Sequence, residues 1–184
     1  MEWKRLYHTA RMMLIPSAIC RADYLKRHHI LKNIGDNCMV MFRKIPLYPK
    51  LISFGNNVWI ASNVTFITHD VIHYMLNNIP LAREIDENIG CIEIEDNVFV
   101  GANTIIMPNI KICANTIIGA GSIINKDITS GGVYVGAPVR FVCSFEDFIE
   151  RRLHEKSFKI QKRGNDLTQE TVDKAWKKLN EIRR

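Results

Sequence analysis

The stretch IEIEDNVFVGANTIIMPNIKICANTIIGAGSIINKDI, residues 92–128, repeats with a period of six. One large apolar residue recurs in each repeat: Ile94, Val100, Ile106, Ile112, Ile118 and Ile124. Three positions later comes a residue type that tolerates left-handed backbone: Asn97, Asn103, Asn109, Asn115, Gly121 and Asp127. An amphipathic helix would need apolar spacings of three and four, which are missing here. The pattern therefore predicts short strands with a corner every six residues.

Three strands and three corners make one turn of about eighteen residues, and successive turns stack in parallel about 4.8 Å apart. This is a parallel β-helix of hexapeptide repeats. A weaker form of the repeat starts at Ile34, Val40, Phe54, Ile60 and Phe66, with corner positions Asn37, Arg43, Asn57, Asn63 and His69. We therefore expect a mainly β fold with the coil over residues 33–143, and His69 at a corner.

Non-repeating segments interrupt and flank the coil. Residues 71–90, VIHYMLNNIPLAREIDENIG, keep no period and form an excursion, and a loop of this length in a compact repeat usually has a function. Residues 1–32 are predicted as an N-terminal helical segment and residues 144–184 as a C-terminal helical extension. Within the latter, helices are expected over 144–163 and from 168 onward, capped by Ser144 and Thr168, with a loop at 164–168.

Composition excludes several classes of protein. The net charge of +6 divides into +5 for residues 1–32, −2 for residues 33–145 and +3 for residues 146–184, so no basic stripe for nucleic acid crosses the coil. No apolar run is long enough to span a membrane, and no signal peptide is evident, so we expect a cytoplasmic protein. The five cysteines are scattered, which predicts neither disulfides nor a zinc site.

Residues 92–128, followed by VYVGAPVRFV (133–142), resemble the hexapeptide-repeat acyltransferases. THD at residues 68–70, the excursion after it, and GAGS at residues 119–122 narrow the resemblance to the galactoside and maltose O-acetyltransferase branch and its relatives that acetylate polysaccharide sugars. The resemblance implies a left-handed β-helix and a homotrimer with active sites between subunits. It also implies acetyl-CoA as donor, no metal, and a small saccharide as acceptor.

His69 matches the position of the family's catalytic histidine. A sugar hydroxyl is a poor nucleophile at neutral pH, whereas imidazole can take its proton as it attacks the thioester. Thr68 or Asp70 could orient the ring, although a local turn bond explains either residue equally well.

The resemblance also carries over binding residues. For the cofactor it implies an aromatic and small residues beside the pantetheine arm and polar or basic residues farther along: Phe99, Gly101, Ala102, Ala120, Gly121, Asn125, Lys126 and Arg140. Side chains of the excursion could contact the acceptor: His73, Tyr74, Asn77, Asn78 and Arg83. Two departures stand out, since position 99 is typically tryptophan and a second basic residue is common where Cys143 stands.

Three other functions fit the same coil. An N-acetyltransferase acting on an amino sugar or other amine would use the same histidine. A γ-type carbonic anhydrase needs three zinc-binding histidines, whereas the coil region contains only His69 and His73. A non-enzymatic β-helix scaffold tends to carry regular rows of threonine on a flat face, but Thr104 and Thr116 fall at inward positions.

Overall fold

The computed structural model describes residues 2–155, 160–163 and 166–183. The chain divides into two compact units, residues 1–148 and 149–184. The first unit contains the coil. No helix in the described ranges is long and apolar enough to cross a membrane.

Thirteen short strands build the coil of the first unit. They are β1 (Asn33–Ile34), β2 (Met39–Val40), β3 (Ile52–Phe54), β4 (Val58–Ile60), β5 (Thr65–Phe66), β6 (Ile92–Ile94), β7 (Val98–Val100), β8 (Ile105–Ile106), β9 (Ile110–Ile112), β10 (Thr116–Ile118), β11 (Ile123–Ile124), β12 (Gly132–Val135) and β13 (Arg140–Cys143). They form three sheets in the orders β1-β3-β6-β9, β2-β4-β7-β10-β12-β13 and β5-β8-β11. Every pairing is parallel except that of β12 with β13.

The register confirms the predicted period. Ile92 pairs with Ile110, Val98 with Thr116, and Ile105 with Ile123, a spacing of 18 residues in each of the three sheets. The six apolar residues of the 92–128 repeat are at most 1% exposed and fill the interior. Burial of such side chains is the main source of stability in a coil of this kind.

Asparagines make most of the corners. Eight of the predicted corner residues have φ between 55° and 72°: Asn37, Asn57, Asn63, Asn97, Asn103, Asn109, Asn115 and Gly121. Their side chains also stack, since Asn57 Nδ2 donates to Asn97 Oδ1 (3.0 Å) and Asn97 Nδ2 donates to Asn115 Oδ1 (3.0 Å). The other three predicted corners, Arg43, His69 and Asp127, do not have this left-handed backbone. At Asp127 the carboxylate instead accepts from the Lys111 N–H of the preceding turn (2.7 Å).

Two helices precede the coil, α1 (Glu2–Leu14) and α2 (Ala18–Arg27). The predicted N-terminal helical segment therefore consists of two helices. Pro16 follows the end of α1, and proline cannot continue a helix because it lacks an N–H. Ser17 then caps α2 by accepting from Cys20 N (3.3 Å).

Two arginines join the helices to the first turn of the coil. Arg21, 1% exposed, donates to the carbonyls of Ile15 (2.7 Å) and Val40 (3.0 Å). Arg43 donates to the carbonyl of Met13 (2.7 Å). These guanidinium groups satisfy carbonyls at and just after the C-terminal end of α1, where a helix leaves acceptors unpaired and favours positive charge. Arg43 is thus a helix cap rather than a coil corner.

The excursion interrupts all three sheets by the same amount. Ile52 pairs with Ile92, 40 residues later, where a regular turn would take 18, so 22 residues are added. The added segment contains one short helix, α3 (Ile72–Leu76). Its two ends pair with each other: Gly90 N donates to Thr68 O (2.8 Å), and Asp70 N donates to Asn88 O (3.1 Å). The excursion is therefore a loop closed at its base.

The C-terminal elements are α4 (Phe145–His154), β14 (Lys162–Arg163), β15 (Asp166–Leu167) and α5 (Gln169–Ile182). The N-caps Ser144 and Thr168 are confirmed, since Ser144 Oγ accepts from Asp147 N (3.1 Å) and Thr168 Oγ1 accepts from Thr171 N. The helix expected over 144–163 is present as far as His154 and is wrong at 162–163, because Lys162–Arg163 pairs with Asp166–Leu167 as an antiparallel hairpin. The predicted loop at 164–168 is likewise wrong at 166–167, and residues 156–159 of the predicted helix lie outside the described residues.

Candidate active site

His69 stands where the chain leaves the coil after β5. Its neighbour Thr68 is fully buried and donates from Oγ1 to the Leu47 carbonyl (2.8 Å). His69 itself forms an antiparallel bridge with Ile89. The prediction of a left-handed corner at His69 is therefore wrong: pairing with the returning end of the excursion holds an extended backbone there. We call residues 68–70 the histidine corner.

Tyr48 adjoins the imidazole, and Glu87 binds Tyr48. The rings of Tyr48 and His69 meet edge to face, with centroids 5.2 Å apart. The Tyr48 hydroxyl donates to the Glu87 carboxylate, 3.1 Å from each oxygen. This hydrogen bond, followed by burial and the carboxylate charge, raises the pKa of Tyr48, so the phenol keeps its proton. Tyr48 also has φ of 50°, an uncommon conformation for a bulky residue and one that clusters at functional sites.

Asp70 fixes the base of the excursion. Its Oδ1 accepts from Ile72 N (3.0 Å), and its Oδ2 accepts from Asn88 Nδ2 (3.0 Å). The hydrogen bond from Asn88, then that from Ile72, lowers the pKa of Asp70, with smaller contributions from the imidazoles of His73 and His69. Asp70 and Thr68 could either orient the His69 ring or hold the local turn. Their hydrogen bonds support the second role.

Two imidazole nitrogens in this region lack a protein partner. Nδ1 of His69 and Nδ1 of His73 are buried and make no hydrogen bond within the described part of the chain. Buried polar atoms are nearly always paired, so each exception calls for an explanation. The Ile89 bridge holds the backbone of His69, and its ring packs edge to face on Tyr48. The residue is only half-buried, so the imidazole can exchange a proton with a molecule bound beside it.

The predicted acceptor residues divide into two groups. His73 and Tyr74 lie near the histidine corner, with ring centroids 4.1 Å apart and an exposed Tyr74. The Asn77 amide is occupied inside the loop, donating to Ile85 O and accepting from Ile85 N (2.9 Å each). Asn78 donates to Tyr74 O (2.9 Å), and Arg83 is exposed. The excursion thus brings two of these five residues to the histidine corner and uses two amides to hold its own shape.

Sequence reasoning missed Tyr48 and Glu87. They are 39 residues apart, and the coil brings them together across a register jump that periodicity does not reveal. The sequence does show that the repeat is broken at PLYPK, residues 46–50, in the turn before His69. This break was the signal that could have pointed to Tyr48.

Four of the predicted cofactor residues meet at the corner between β7 and β8 and the equivalent corner one turn later. Gly121 N donates to Ala102 O (2.8 Å), which stacks the two corners. A Cβ added at Gly101 would lie 2.5 Å from Ala120 N, so the next turn of the coil already requires glycine there. At Gly121 φ is +72°, and a Cβ would meet nothing within 4 Å. This corner therefore has a smooth outer surface of small residues.

The remaining cofactor candidates lie elsewhere on the coil. Phe99 is 40% exposed and stands between Trp59 and Ile117 on neighbouring strands. These three residues line a shallow groove of about 430 Å³. Asn125 and Lys126 follow β11, Arg140 begins β13, and all three are exposed.

The predicted catalytic and cofactor residues lie on two different edges of the coil. His69, Asn125 and Lys126 follow strands of the third sheet, β5 and β11, and share one edge of the coil. Gly101 and Ala120 follow strands of the second sheet and lie on another edge, across the third sheet. One chain thus presents the imidazole and the small-residue surface on different edges. No group of three or more metal-ligating side chains occurs in the described ranges.

Comparisons with known proteins agree with this architecture. Residues 92–126 match the family described as bacterial transferase hexapeptide (six repeats). Over 131 residues the chain is 29% identical to the Bacillus subtilis (strain 168) protein YvoF, and the alignment covers 70% of each chain. It is 31% identical over 130 residues to the galactoside O-acetyltransferase of Escherichia coli (strain K12), covering 70% of this chain and 61% of that protein.

A solved structure resembles the coil as well. The structure of a galactoside acetyltransferase in complex with coenzyme A superposes with a TM-score of 0.58 and 26% identity, covering 88% of this chain and 90% of that one. Its bound coenzyme A agrees with the predicted donor, acetyl-CoA. The repeat, the stacked corners and these relatives confirm the predicted resemblance to the hexapeptide-repeat transferases and the predicted enzyme class.

Proposed function

We propose that this protein moves an acetyl group from acetyl-CoA to a hydroxyl of a saccharide acceptor, with His69 as the general base. The observation that carries the proposal is the His69 imidazole, fixed at the base of the excursion with one buried nitrogen that no described residue partners. The galactoside O-acetyltransferase relative and the coenzyme A complex support the donor and the class of acceptor. On this proposal residues 33–143 form the catalytic domain as a left-handed coil, residues 1–32 and 144–184 flank it, and the excursion makes one wall of the acceptor site.

The chemistry needs one proton acceptor and one polarised thioester. The imidazole takes the proton of the acceptor hydroxyl as the oxygen forms a bond to the acetyl carbonyl carbon. The tetrahedral intermediate then breaks its C–S bond, and the imidazolium returns the proton to the departing coenzyme A sulfur. His73 and Tyr74 lie where they can contact the acceptor, and Tyr48 with Glu87 holds the imidazole from the side.

The cofactor is proposed to lie along the small-residue corner. Gly101, Ala102, Ala120 and Gly121 leave space for the pantetheine arm, and Phe99 offers it an apolar surface. Asn125 and Lys126 contact the lower part of the cofactor. Lys126 and Arg140 are exposed cations that can pair with its phosphates, which bind guanidinium and ammonium groups through charge-assisted hydrogen bonds.

A homotrimer with sites between subunits would complete the arrangement. In one chain His69 and the Gly101–Ala120 surface lie on different edges of the coil, separated by a face of six residues or up to about 20 Å of extended strand. A second copy packed against this face would bring its small-residue edge to the imidazole of the first. The apolar side chains of Trp59 and Phe99 on the second sheet, about 40% exposed, are consistent with a face that another molecule covers.

The proposal is tested by acetyl transfer to a panel of sugars and amino sugars, monitored by release of the coenzyme A thiol. We expect transfer to at least one hydroxyl acceptor, and a loss of about 10²–10⁴-fold in His69→Ala. The matched control is His154→Ala, an exposed histidine at the end of α4, which should keep the wild-type rate. Transfer by His69→Ala at the wild-type rate would overturn the assignment, and modification of amines alone would replace the O-acetyltransferase with an N-acetyltransferase.

A further inference from the structure

A second cavity lies on the other side of Tyr48 from His69. It has a volume of about 280 Å³ and lies between α1, the end of α2 and the loop at residues 45–50. Ile45 and Leu47 form an apolar wall. Six basic or protonatable side chains line the rest, and we call this cavity the basic pocket: Lys4, Arg5, His8, His28, His29 and Lys50.

One carboxylate adjoins the basic pocket, since Glu87 accepts from the Tyr48 hydroxyl, but it makes no ion pair with the pocket's cations among the residues that the structure describes. No aspartate or glutamate is among its described lining residues, and within the described part of the chain no carboxylate lies within ion-pair distance of Lys4, Arg5 or Lys50. Burial, followed by the charges of His28 and Lys4, lowers the pKa of His8. Clustered like charges repel one another, and an anion bound among them removes that repulsion.

Several donors of the pocket are held in place and retain free N–H groups. Lys50 Nζ donates to the carbonyls of His29 and Leu31, the latter at 3.2 Å, and an ammonium group has a third proton to give. Arg5 uses Nη1 for the Ile45 carbonyl (3.4 Å) and keeps its other donors. His8 uses Nδ1 for the Tyr24 hydroxyl (2.8 Å), which leaves Nε2 available. These contacts position donors around the cavity before any ligand enters.

The basic pocket adjoins the histidine corner through Leu47, whose carbonyl accepts from Thr68, and through the Tyr48 ring. Tyr48 lines the pocket, and its ring contacts that of His69 at a centroid distance of 5.2 Å. The pocket lies beside the first turn of the coil, whereas Lys126 lies three turns away, about 14 Å along the axis. This separation assigns the pocket to the acceptor side of the reaction and not to the phosphates of the cofactor.

We propose that the basic pocket binds a phosphate group carried by the saccharide acceptor, so that the protein selects phosphorylated sugars. The inference rests on the proposed acetyl transfer for its link to His69, whereas phosphate binding itself does not depend on catalysis. Guanidinium and ammonium groups converging on one cavity match the oxygens of a phosphate, and each charge-assisted hydrogen bond is stronger than a neutral one.

The phosphate could belong to a soluble sugar phosphate or to the headgroup of a lipid-linked sugar. Beside the pocket, α1 exposes Trp3 (83%), Leu6 and Tyr7, apolar side chains suited to a lipid surface. Both sources carry the phosphate that the proposal requires. Binding of glucose 1-phosphate from solution, compared with binding to phosphatidylglycerol vesicles, identifies which source the pocket prefers.

Binding is measured by isothermal titration of inorganic phosphate and of glucose 1-phosphate into the full chain saturated with coenzyme A, which blocks the cofactor's phosphate sites. We expect one saturable site, with a Kd at least tenfold weaker in Lys4→Gln/His28→Asn. Lys177→Gln removes an exposed lysine on α5 and is the matched control, with an unchanged Kd. If the double variant does not fold by circular dichroism, Lys4→Gln alone tests the same site, because Lys4 is exposed and makes no ion pair among the described residues.

Three results would overturn the proposal: no saturable binding, an unchanged Kd in the pocket variant, or loss of the site in Arg140→Gln instead. Whether the bound phosphate belongs to the acceptor is tested separately, by kinetics. In the pocket variant kcat/KM should fall for a phosphorylated acceptor and stay unchanged for the same sugar without phosphate; equal effects on both would refute the link. Phosphate binding that depends on Lys4, with no acetyl transfer to any acceptor, would leave the pocket standing and reject the proposed function.

Discussion

The stacked asparagine corners and the histidine corner occupy equivalent places in the repeat but use their side chains differently. At Asn97 the backbone is left-handed, and the amide is hydrogen-bonded to the corners of the turns on both sides. At His69 the backbone is extended, the excursion forms the pairing, and Nδ1 has no partner in the described chain. A regular corner uses its polar atoms to hold the coil. Where the excursion takes over that task, a side chain becomes free for chemistry.

His69→Asn places the repeat's usual corner residue at the histidine corner and tests whether position 69 serves catalysis or the coil. We expect acetyl transfer to fall by about 10²–10⁴-fold, because asparagine cannot accept the proton. The free energy of unfolding in urea should change by less than about 0.5 kcal/mol, because the imidazole Nδ1 makes no hydrogen bond with any described residue that asparagine would remove. A stabilisation well above this value would mean that position 69 acts as a coil corner after all.

Asn97→Ala and Asn97→Gly remove the side-chain hydrogen bonds of a regular corner, and comparing them isolates the effect of its positive φ. Alanine loses the hydrogen bonds to Asn57 and Asn115 and is strained at a φ of 59°, so we expect a destabilisation of about 2 kcal/mol. Glycine adopts this φ freely and should lose about 1 kcal/mol. Urea unfolding measures both values, while kcat for acetyl transfer should remain unchanged. Equal losses in the two variants would show that backbone conformation contributes nothing at this corner.

Tyr48→Phe tests whether the hydrogen bond to Glu87 contributes to catalysis at the histidine corner. The ring that contacts His69 remains, but the hydroxyl that donates to Glu87 is lost. We expect kcat to fall by about threefold to tenfold, since the ring that packs on His69 loses the hydrogen bond that holds it to Glu87. Tyr7→Phe, at an exposed position on α1, is the control. An unchanged kcat in Tyr48→Phe would remove Glu87 from the description of the site.

The smallest expected effect concerns pH and the base of the excursion. The pKa of Asp70 lies below its ordinary value, so its contribution to stability is fully present above that value and is lost as the pH falls through the lowered pKa. The stability difference between the wild type and Asp70→Asn, measured by urea unfolding, should be constant from pH 7 to about pH 5 and shrink below about pH 4. Asp23→Asn, an exposed carboxylate on α2, serves as control. A difference that grows on acidification would contradict the hydrogen bonds assigned to Asp70.

The regular coil was predictable from sequence because its physics is local. One buried apolar residue and one residue tolerant of positive φ in every six fix both the strands and the corners from Ile94 to Ile124. The same rule failed at Arg43 and His69. There the polypeptide departs from the coil, and the partner that replaces the corner, a helix end or a returning loop, is remote in sequence.

The site was less predictable for the same reason. The resemblance indicated His69, but Tyr48 reaches the imidazole, and Glu87 reaches Tyr48, only through strand register, which a period of six does not specify across a 40-residue jump. The role of Asn77 was equally invisible, because its amide pairs with a backbone eight residues away inside the excursion. Periodicity predicts the scaffold, and contacts between non-repeating segments determine what the scaffold presents.

The paired ends of the excursion have a consequence for how this protein can be altered. Because Thr68 pairs with Gly90 and Asp70 with Asn88, the length of the segment between them imposes no change on the strands above or below. A loop of another length or composition could be grafted between positions 71 and 86, with Asp70, Glu87 and Asn88 kept as the junction. If the excursion is the proposed wall of the acceptor site, acceptor specificity can be redesigned by exchanging this segment, while the sequence that folds the coil stays unchanged.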